Sequence, residues 1–317
     1  MPSIEDRVVT GAEMTQTSPS ASAPVTRRRR RDDTRVAALY LAPSLLGFTA
    51  FIVLPLIGAL AISLFDWPLF GERIFVGLAN YDRLFADPTF YTALANTVIF
   101  ALVYTSMSLV IALALSLWLN TRMKFTGLWR VIFFIPAITP MVANALVWQL
   151  ILADDGVVNA VLGSLAIGGQ SWLTDSTFAL GSVIIMSVWQ SLGYNVVIIA
   201  AGLGGIPKDI LEAARIDGTT AWDRVRHIII PMISPTLFFA STMTMIGAFQ
   251  VFVQVQFLTA GGPGQSTNTL VLYLYNNGFV FDRLGYASAL AWILFIVVLL
   301  ITAIQFAGQR RWVNYDK

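Results

Sequence analysis

Nine ionisable side chains crowd into one stretch of an otherwise apolar chain: Lys208, Asp209, Glu212, Arg215, Asp217, Asp223, Arg224, Arg226 and His227. Such a cluster could do acid–base or metal chemistry, bind phosphate, or dock a partner. His227 is the only histidine and the chain has no cysteine, so no nucleophile–base pair or metal-ligand set forms around it. Catalytic and metal sites are therefore not expected, and a helix surface is the ordinary setting for this histidine. The cluster is balanced, four basic groups against four acidic ones, which leaves little attraction for nucleic acid despite a helix–turn–helix outline. ATP needs a Gly-rich loop ending in Lys followed by Ser or Thr. None of Lys124, Lys208 and Lys317 fits, and "TAGGPGQST" has the glycines without the lysine. The chain thus has no nucleotide site or cofactor of its own. Docking is the remaining use of the cluster.

A second set is polar but uncharged. Ser187, Gln190, Ser191, Tyr194 and Asn195 recur at i, i+3, i+4, i+7 and i+8, one stripe of a helix. Met243, Gly247, Gln250 and Gln254 read as one face of another. Amides and an aromatic face suit a neutral polyol, which offers hydroxyls and apolar CH surfaces. The competing use is helix–helix packing through polar side chains. Gln190, Asn195, Gln250 and Gln254 stand open between the two, with Tyr194 as the aromatic face of a substrate pathway. Packing is favoured for Ser187 and Ser191. Trp148 reads as an aromatic-belt residue near a helix end, and Trp189 falls opposite the stripe.

The elements that must carry these residues are set by composition. The chain is 56% hydrophobic and 12% charged, against about 25% charged in soluble domains. The apolar residues fall into six runs without Asp, Glu, Lys or Arg: 36–64, 94–119, 131–152, 178–203, 232–258 and 286–307. Each has the roughly 20 residues that a bilayer-crossing helix needs. An all-α polytopic membrane protein with six transmembrane helices is expected, its permease-like body spanning 36–307. Of the 20 Lys and Arg, 17 lie in 1–35, 120–130, 204–231 and 308–317. The positive-inside rule makes those segments, both termini included, cytoplasmic. The Ser/Thr/Ala/Pro-rich tail 1–35 ends in an arginine block, reads as disordered, and suits contact with anionic lipid. The apolar run after it is too long for the core of a cleavable signal peptide. An ion-coupled transporter generally needs ionisable or unwound polar positions inside the membrane. The six runs hold no Asp, Glu, Lys, Arg or His, although sodium held by carbonyls and hydroxyls stays open.

Within 204–231, Pro207 suits a first helical turn, with Asp209 and Glu212 near its positive end. Ile206, Ile210, Ala213 and Ala214 are expected on one face. Lys208 and Glu212 stand at i,i+4, and Glu212 can also reach Arg215. Gly218 reads as a helix stop. Thr220 can cap a second helix, with Asp223 three residues on and Trp222, Val225 and Ile229 sharing a face. Pro231 and Pro235 mark the return to the membrane.

Glu212, Ala213, Ala214, Asp217, Gly218, Ile228, Pro231 and Pro235 together resemble the EAA motif of permease subunits in binding-protein-dependent ABC importers. "LAPSLLGFTAFIVLPLIGALAISLFDW", "FVGLANYDRLF", "FFIPAITPMVANALVWQLI" and "FLTAGGPGQSTNTL" resemble its carbohydrate branch, of the maltose and glycerol-phosphate permease type. The resemblance runs from Tyr40 to the C-terminus, and Val225 departs from it where an aromatic residue is usual. It implies the type I ABC importer permease fold in a bacterial or archaeal cell membrane. It also implies a coupling helix seated in a cleft of a separate ATPase through Glu212, Ala213, Ala214, Asp217 and Gly218. The implied partners are a second permease forming a heterodimer, two ATPase subunits that hold ATP–Mg, and an extracytoplasmic solute-binding protein. Sugars or oligosaccharides are the first expected substrates, and glycerol-3-phosphate or a glycerophosphodiester the second.

Overall fold

The computed structural model describes residues 29–68, 70–120 and 126–314. The basic tail expected over 1–35 lies outside the described residues up to position 28, and from Arg29 the backbone is helical. The described residues fall into two compact units, one ending at Pro55 and the other beginning at Leu56. In the first, α1 (Arg29–Phe48) leads into a π turn at Thr49–Val53. Pro55 accounts for that turn. It has no N–H and crowds the carbonyl four residues back, and a wider turn relieves both. Helix α2 (Leu54–Ser63) follows.

The second unit carries a two-residue antiparallel ribbon, β1 (Phe65–Asp66) with β2 (Ile74–Phe75), and is otherwise helical. Its helices are α3 (Ala79–Phe85), α4 (Pro88–Leu119), α5 (Thr126–Ile138), α6 (Met141–Ile151), α7 (Val157–Ser164) and α8 (Ala179–Gly204). After these come α9 (Lys208–Ile216), α10 (Ala221–Arg224), a π turn at Val225–Ile229, and α11 (Ile230–Met232). The chain ends in α12 (Ser234–Phe249), α13 (Val253–Leu258), α14 (Leu270–Tyr275) and α15 (Leu284–Gln309).

Four helices are long and apolar enough to cross a bilayer: Val36–Ser63, Pro88–Leu119, Ala179–Gly204 and Leu284–Gln309. The other two apolar runs are not single helices. The run 131–152 bends by 99° between α5 and α6. Pro140 disfavours helix at Thr139 before it, and the bend frees carbonyls that lipid cannot satisfy. Asn144 Nδ2 donates to Pro136 O at 3.0 Å and Gln190 Nε2 to Thr139 O at 3.5 Å. The run 232–258 begins at a 72° bend between Met232 and Ser234. It stops again at 250–252, where Thr269 Oγ1 donates to Val251 O at 3.2 Å. With 16 residues, α12 is about 24 Å long, short of a hydrocarbon core of about 30 Å.

The core forms where α4 meets α8. Ala101, Thr105, Ser108, Ala112 and Ser116 are buried along one side of α4. Small residues let helix backbones close in where lipid provides no hydrophobic drive. Ser116 Oγ donates to Val196 O at 3.1 Å, and Ser108 Oγ lies 3.4 Å from Ser191 Oγ. On its other side α8 touches α5 at Gly193, where an added Cβ would lie 2.6 Å from Phe133 O. That contact requires glycine.

Candidate functional site

The charged stretch folds as the expected helical hairpin, and each bend has a local cause. Pro207 sits at the N-cap of α9. At the other end Gly218 N–H donates to Arg215 O (3.1 Å) and Thr219 N–H to Ala214 O (3.2 Å). Gly218 itself has φ +74°. This is the Schellman arrangement, whose left-handed residue is normally glycine. Thr219 Oγ1 doubles the bond to Ala214 O at 2.6 Å, and an Arg224 guanidinium nitrogen donates to Thr219 O. Thr220 Oγ1 accepts from Asp223 N–H at 3.1 Å and donates its own proton to the Asp223 carboxylate. That hydroxyl is the main reason the Asp223 carboxyl is held below its usual value.

The faces differ from expectation in two ways. Ile206 and Ala214 are buried with half-buried Leu211, whereas Ile210 and Ala213 point outward. Ile206 and Leu211 pack with Leu119, Leu203 and Ile233, so the hairpin is seated on the ends of α4 and α8. Of the second-helix set, Val225 and Ile229 are half-buried but Trp222 is 67% exposed. Ile216 is 86% exposed. The Lys208–Glu212 and Glu212–Arg215 pairs do not form, and Glu212, exposed on the outer face, makes no ion pair among the described residues. Helix propensity and the cap position the backbone without them. The outer face thus presents Glu212 and Ala213 beside Ile216, with Asp217 in the cap.

The α8 stripe divides among three neighbours. Gln190 reaches the α5/α6 bend and its Oε1 is buried without a partner. Ser191 meets α4 at Ser108. Asn195 Oδ1 accepts from Thr244 Oγ1 of α12 at 3.2 Å. Ser187 bonds back to Val183 O, and Tyr194 is 66% exposed. Gln250 and Gln254 fall on either side of the break after α12, so they do not share one helix face, and no hydrogen bond joins them to Gln190 or Asn195. Trp148, half-buried, packs edge-on against Trp189, centroids 5.6 Å apart. A pocket of about 260 Å³ lies between α5 and α8, lined by Arg130, Phe133, Gly193 and Val197 among others.

Away from the hairpin, at the start of α4, lies a group that the sequence reading passed over. Asp87 caps α4 by accepting from Thr89 N–H at 2.8 Å. The same side chain accepts from Tyr273 Oη of α14 and, at 2.8 Å, from Tyr286 Oη of α15. Burial raises its carboxyl, but these hydrogen bonds outweigh it and hold Asp87 below the usual carboxylate range. The Asp-Pro pair at 87–88, a cap followed by a first-turn proline, was the available signal. Nearby, Asn96 Nδ2 donates to Gln265 O and Asn268 O, pinning the loop after α13. Among the described residues no group of three or more His, Asp or Glu gathers to hold a metal.

Comparison with known proteins agrees with this architecture. The family described as "binding-protein-dependent transport system inner membrane component" matches residues 109–314. The lactose transport system permease protein LacF of Rhizobium radiobacter is 35% identical, over 86% of this chain and 93% of its own. The arabinooligosaccharides transport system permease protein AraP of Bacillus subtilis is 34% identical, over 84% and 86%. A chain of a bacterial ABC transporter involved in the import of the acidic polysaccharide alginate superposes with a TM-score of 0.78 at 23% identity. It covers 90% of this chain and 99% of that one.

Proposed function

The chain belongs to the family of binding-protein-dependent transport system inner membrane components, the permease subunits of ABC transporters, and on that footing we propose that it forms part of the membrane pathway of a sugar or oligosaccharide importer. It is a transport component rather than an enzyme. The substrate class is supported by the names of LacF and AraP and by the absence of charge from the six apolar runs. Taking the apolar runs 131–152 and 232–258 as one crossing each, beside the four long helices, gives six spans. With 17 of 20 Lys and Arg in the segments on one side, both termini and the hairpin are then cytoplasmic.

The hairpin 204–231 is the coupling element to a separate ATPase. One observation carries this reading: an unpaired Glu212 stands outward beside Ile216 while the opposite face of the same helix is built into the ends of α4 and α8. Glu212 and Ala213 make the contact, Ala214 seats the helix, and Asp217 and Gly218 hold its end. Two ATPase subunits holding ATP–Mg, a second permease and an extracytoplasmic solute-binding protein complete the assembly, in a cell membrane. Gln190, Tyr194, Asn195, Gln250 and Gln254 remain the pathway residues, and the unpartnered Gln190 Oε1 supports that role.

The test is to purify the chain with its partners, reconstitute it in proteoliposomes, and compare Glu212→Arg with the wild type. The expected result is an assembled complex in which ATP hydrolysis no longer drives uptake. Normal uptake would remove Glu212 from the mechanism. A panel of sugars with the matching binding protein reads the substrate, and unchanged uptake in both Asn195→Leu and Gln254→Leu would sink the pathway assignment.

A further inference from the structure

The turn that ends the chain is attached to the bend from which the hairpin hangs. After α15 the backbone turns back, with Trp312 N–H on Gln309 O at 3.1 Å and Val313 N–H on the same carbonyl at 2.9 Å. Asn314 N–H then donates to Ser234 Oγ at 2.8 Å. Ser234, 1% exposed, is the first residue of α12. Its hydroxyl donates to Pro231 O at 2.7 Å, on the other side of the 72° bend. One oxygen therefore joins three segments: the returning arm of the hairpin, α12, and the end of α15. Trp312 adds an edge contact to buried Phe238 of α12, centroids 6.1 Å apart.

The bend is where this attachment matters. Between α11 and α12 only Ile233 separates the two helices, and Pro235 has no N–H to give Pro231 O, the helical bond that would otherwise cross the bend. Left to itself such a joint would absorb a displacement of the hairpin as a change of angle. We propose that Ser234 and the backbone of Asn314 are a positioning pair: they fix the angle of the bend against α15, so that movement of the hairpin is passed into α12. The role in transport rests on the coupling reading given above; the mechanical link does not.

The experiment begins with the purified chain. It contains no cysteine, so Ile216→Cys and Ile304→Cys, at positions 86% and 70% exposed, introduce the only sites for a pair of spin labels. Asn314→Pro deletes the N–H donor and Asn314→Ala keeps it. The distance distribution between the labels is expected to broaden in Asn314→Pro and in Ser234→Ala. It should stay as in the wild type in Asn314→Ala, and be no broader in the Ser234→Ala/Asn314→Pro double variant than in either single one. Unlabelled variants are then assembled with the ATPase and the binding protein. Losing one hydrogen bond of about 1 kcal/mol should lower uptake per ATP by about fivefold, with the yield of complex unchanged. Equal widths in all variants, additive widths in the double variant, or a fall in yield matching the fall in uptake would each overturn the positioning role. A wild-type complex whose hydrolysis does not depend on the hairpin would instead overturn the coupling reading, and the label distances alone would then decide the link.

Discussion

The two bends of the bundle are made by similar means and used differently. Both break an apolar run beside a proline, at Pro140 and between Pro231 and Pro235, by 99° and 72°. The first is closed in the middle of the bundle: Asn144 of α6 and Gln190 of the neighbouring α8 take up the freed carbonyls, and Gly193 brings α8 against α5. The second is closed by the Ser234 hydroxyl of α12 itself, which is held in turn by the backbone N–H of Asn314 in the turn after α15. A bend sealed inside a helix bundle is a fixed part of its shape. One whose seal is held from the turn after the last helix can open without unfolding the rest. Defects at the first should therefore cost folding, and defects around the second should cost coupling.

The largest expected effect tests the first half of that contrast. Gly193→Leu puts a side chain where a Cβ already lies 2.6 Å from Phe133 O. Overpacking of this kind costs about 3 kcal/mol and should remove most of the monodisperse protein on size-exclusion chromatography in detergent. Asn144→Leu comes next, leaving Pro136 O without its donor. A loss of about 2 kcal/mol should appear as a lower thermal midpoint, with uptake per folded molecule little changed. A midpoint equal to the wild type would show that the 99° bend needs no internal seal.

The other half is read at the hairpin. Thr220→Ala removes the cap of α10, worth about 1 kcal/mol. The complex should assemble and hydrolyse ATP but deliver less substrate per ATP. If uptake and thermal midpoint fell together, the hairpin would be no softer than the bundle.

The smallest effect concerns pH at the far end of α4. The Asp87 carboxyl is held low by Tyr273, Tyr286 and Thr89 against the opposing effect of burial. A lowered folded value means the contribution is complete above the unfolded value, about pH 3.9, and is lost as pH falls through the lower folded one. Stability measured from pH 6 down to 2 should therefore decline in the wild type, with a shallower decline in Asp87→Asn. Parallel curves would remove Asp87 from the acid response.

What the sequence made legible divides along similar lines. The spanning helices follow from charge-free length, and the hairpin from Gly218 and Thr220, because caps and left-handed turns are local properties. Pro140 did announce a break, but "FFIPAITPMVANALVWQLI" is apolar throughout and length alone joined it into one span. The interruption at 250–252 had no such sign. No Gly or Pro lies there, and Val251 O is met by Thr269, which lies outside the run. Periodicity put Gln190, Ser191 and Asn195 on one stripe, yet a stripe does not say which helix faces it, and three different elements do. The Glu212 pairs failed because exposed ions at i,i+4 gain only a few tenths of a kcal/mol, too little to fix long side chains. The attachment of Asn314 could not be read at all, since it uses a backbone N–H that any residue but proline offers.

Gly193 has one more consequence, a mechanical one. α4 and α8 are tightly joined along their small-residue seam, and at Gly193 that pair lies against α5 with no room for a side chain. At 1.5 Å per residue Gly193 stands about 16 Å from the hairpin end of α8 and about 21 Å from the other. Were α8 to pivot at that contact, its two ends would swing in opposite senses, the far end travelling about 1.3 times as far by those lengths. Under such a pivot a step of about one ångström at the hairpin becomes an opposite, slightly larger step at the other end of α8.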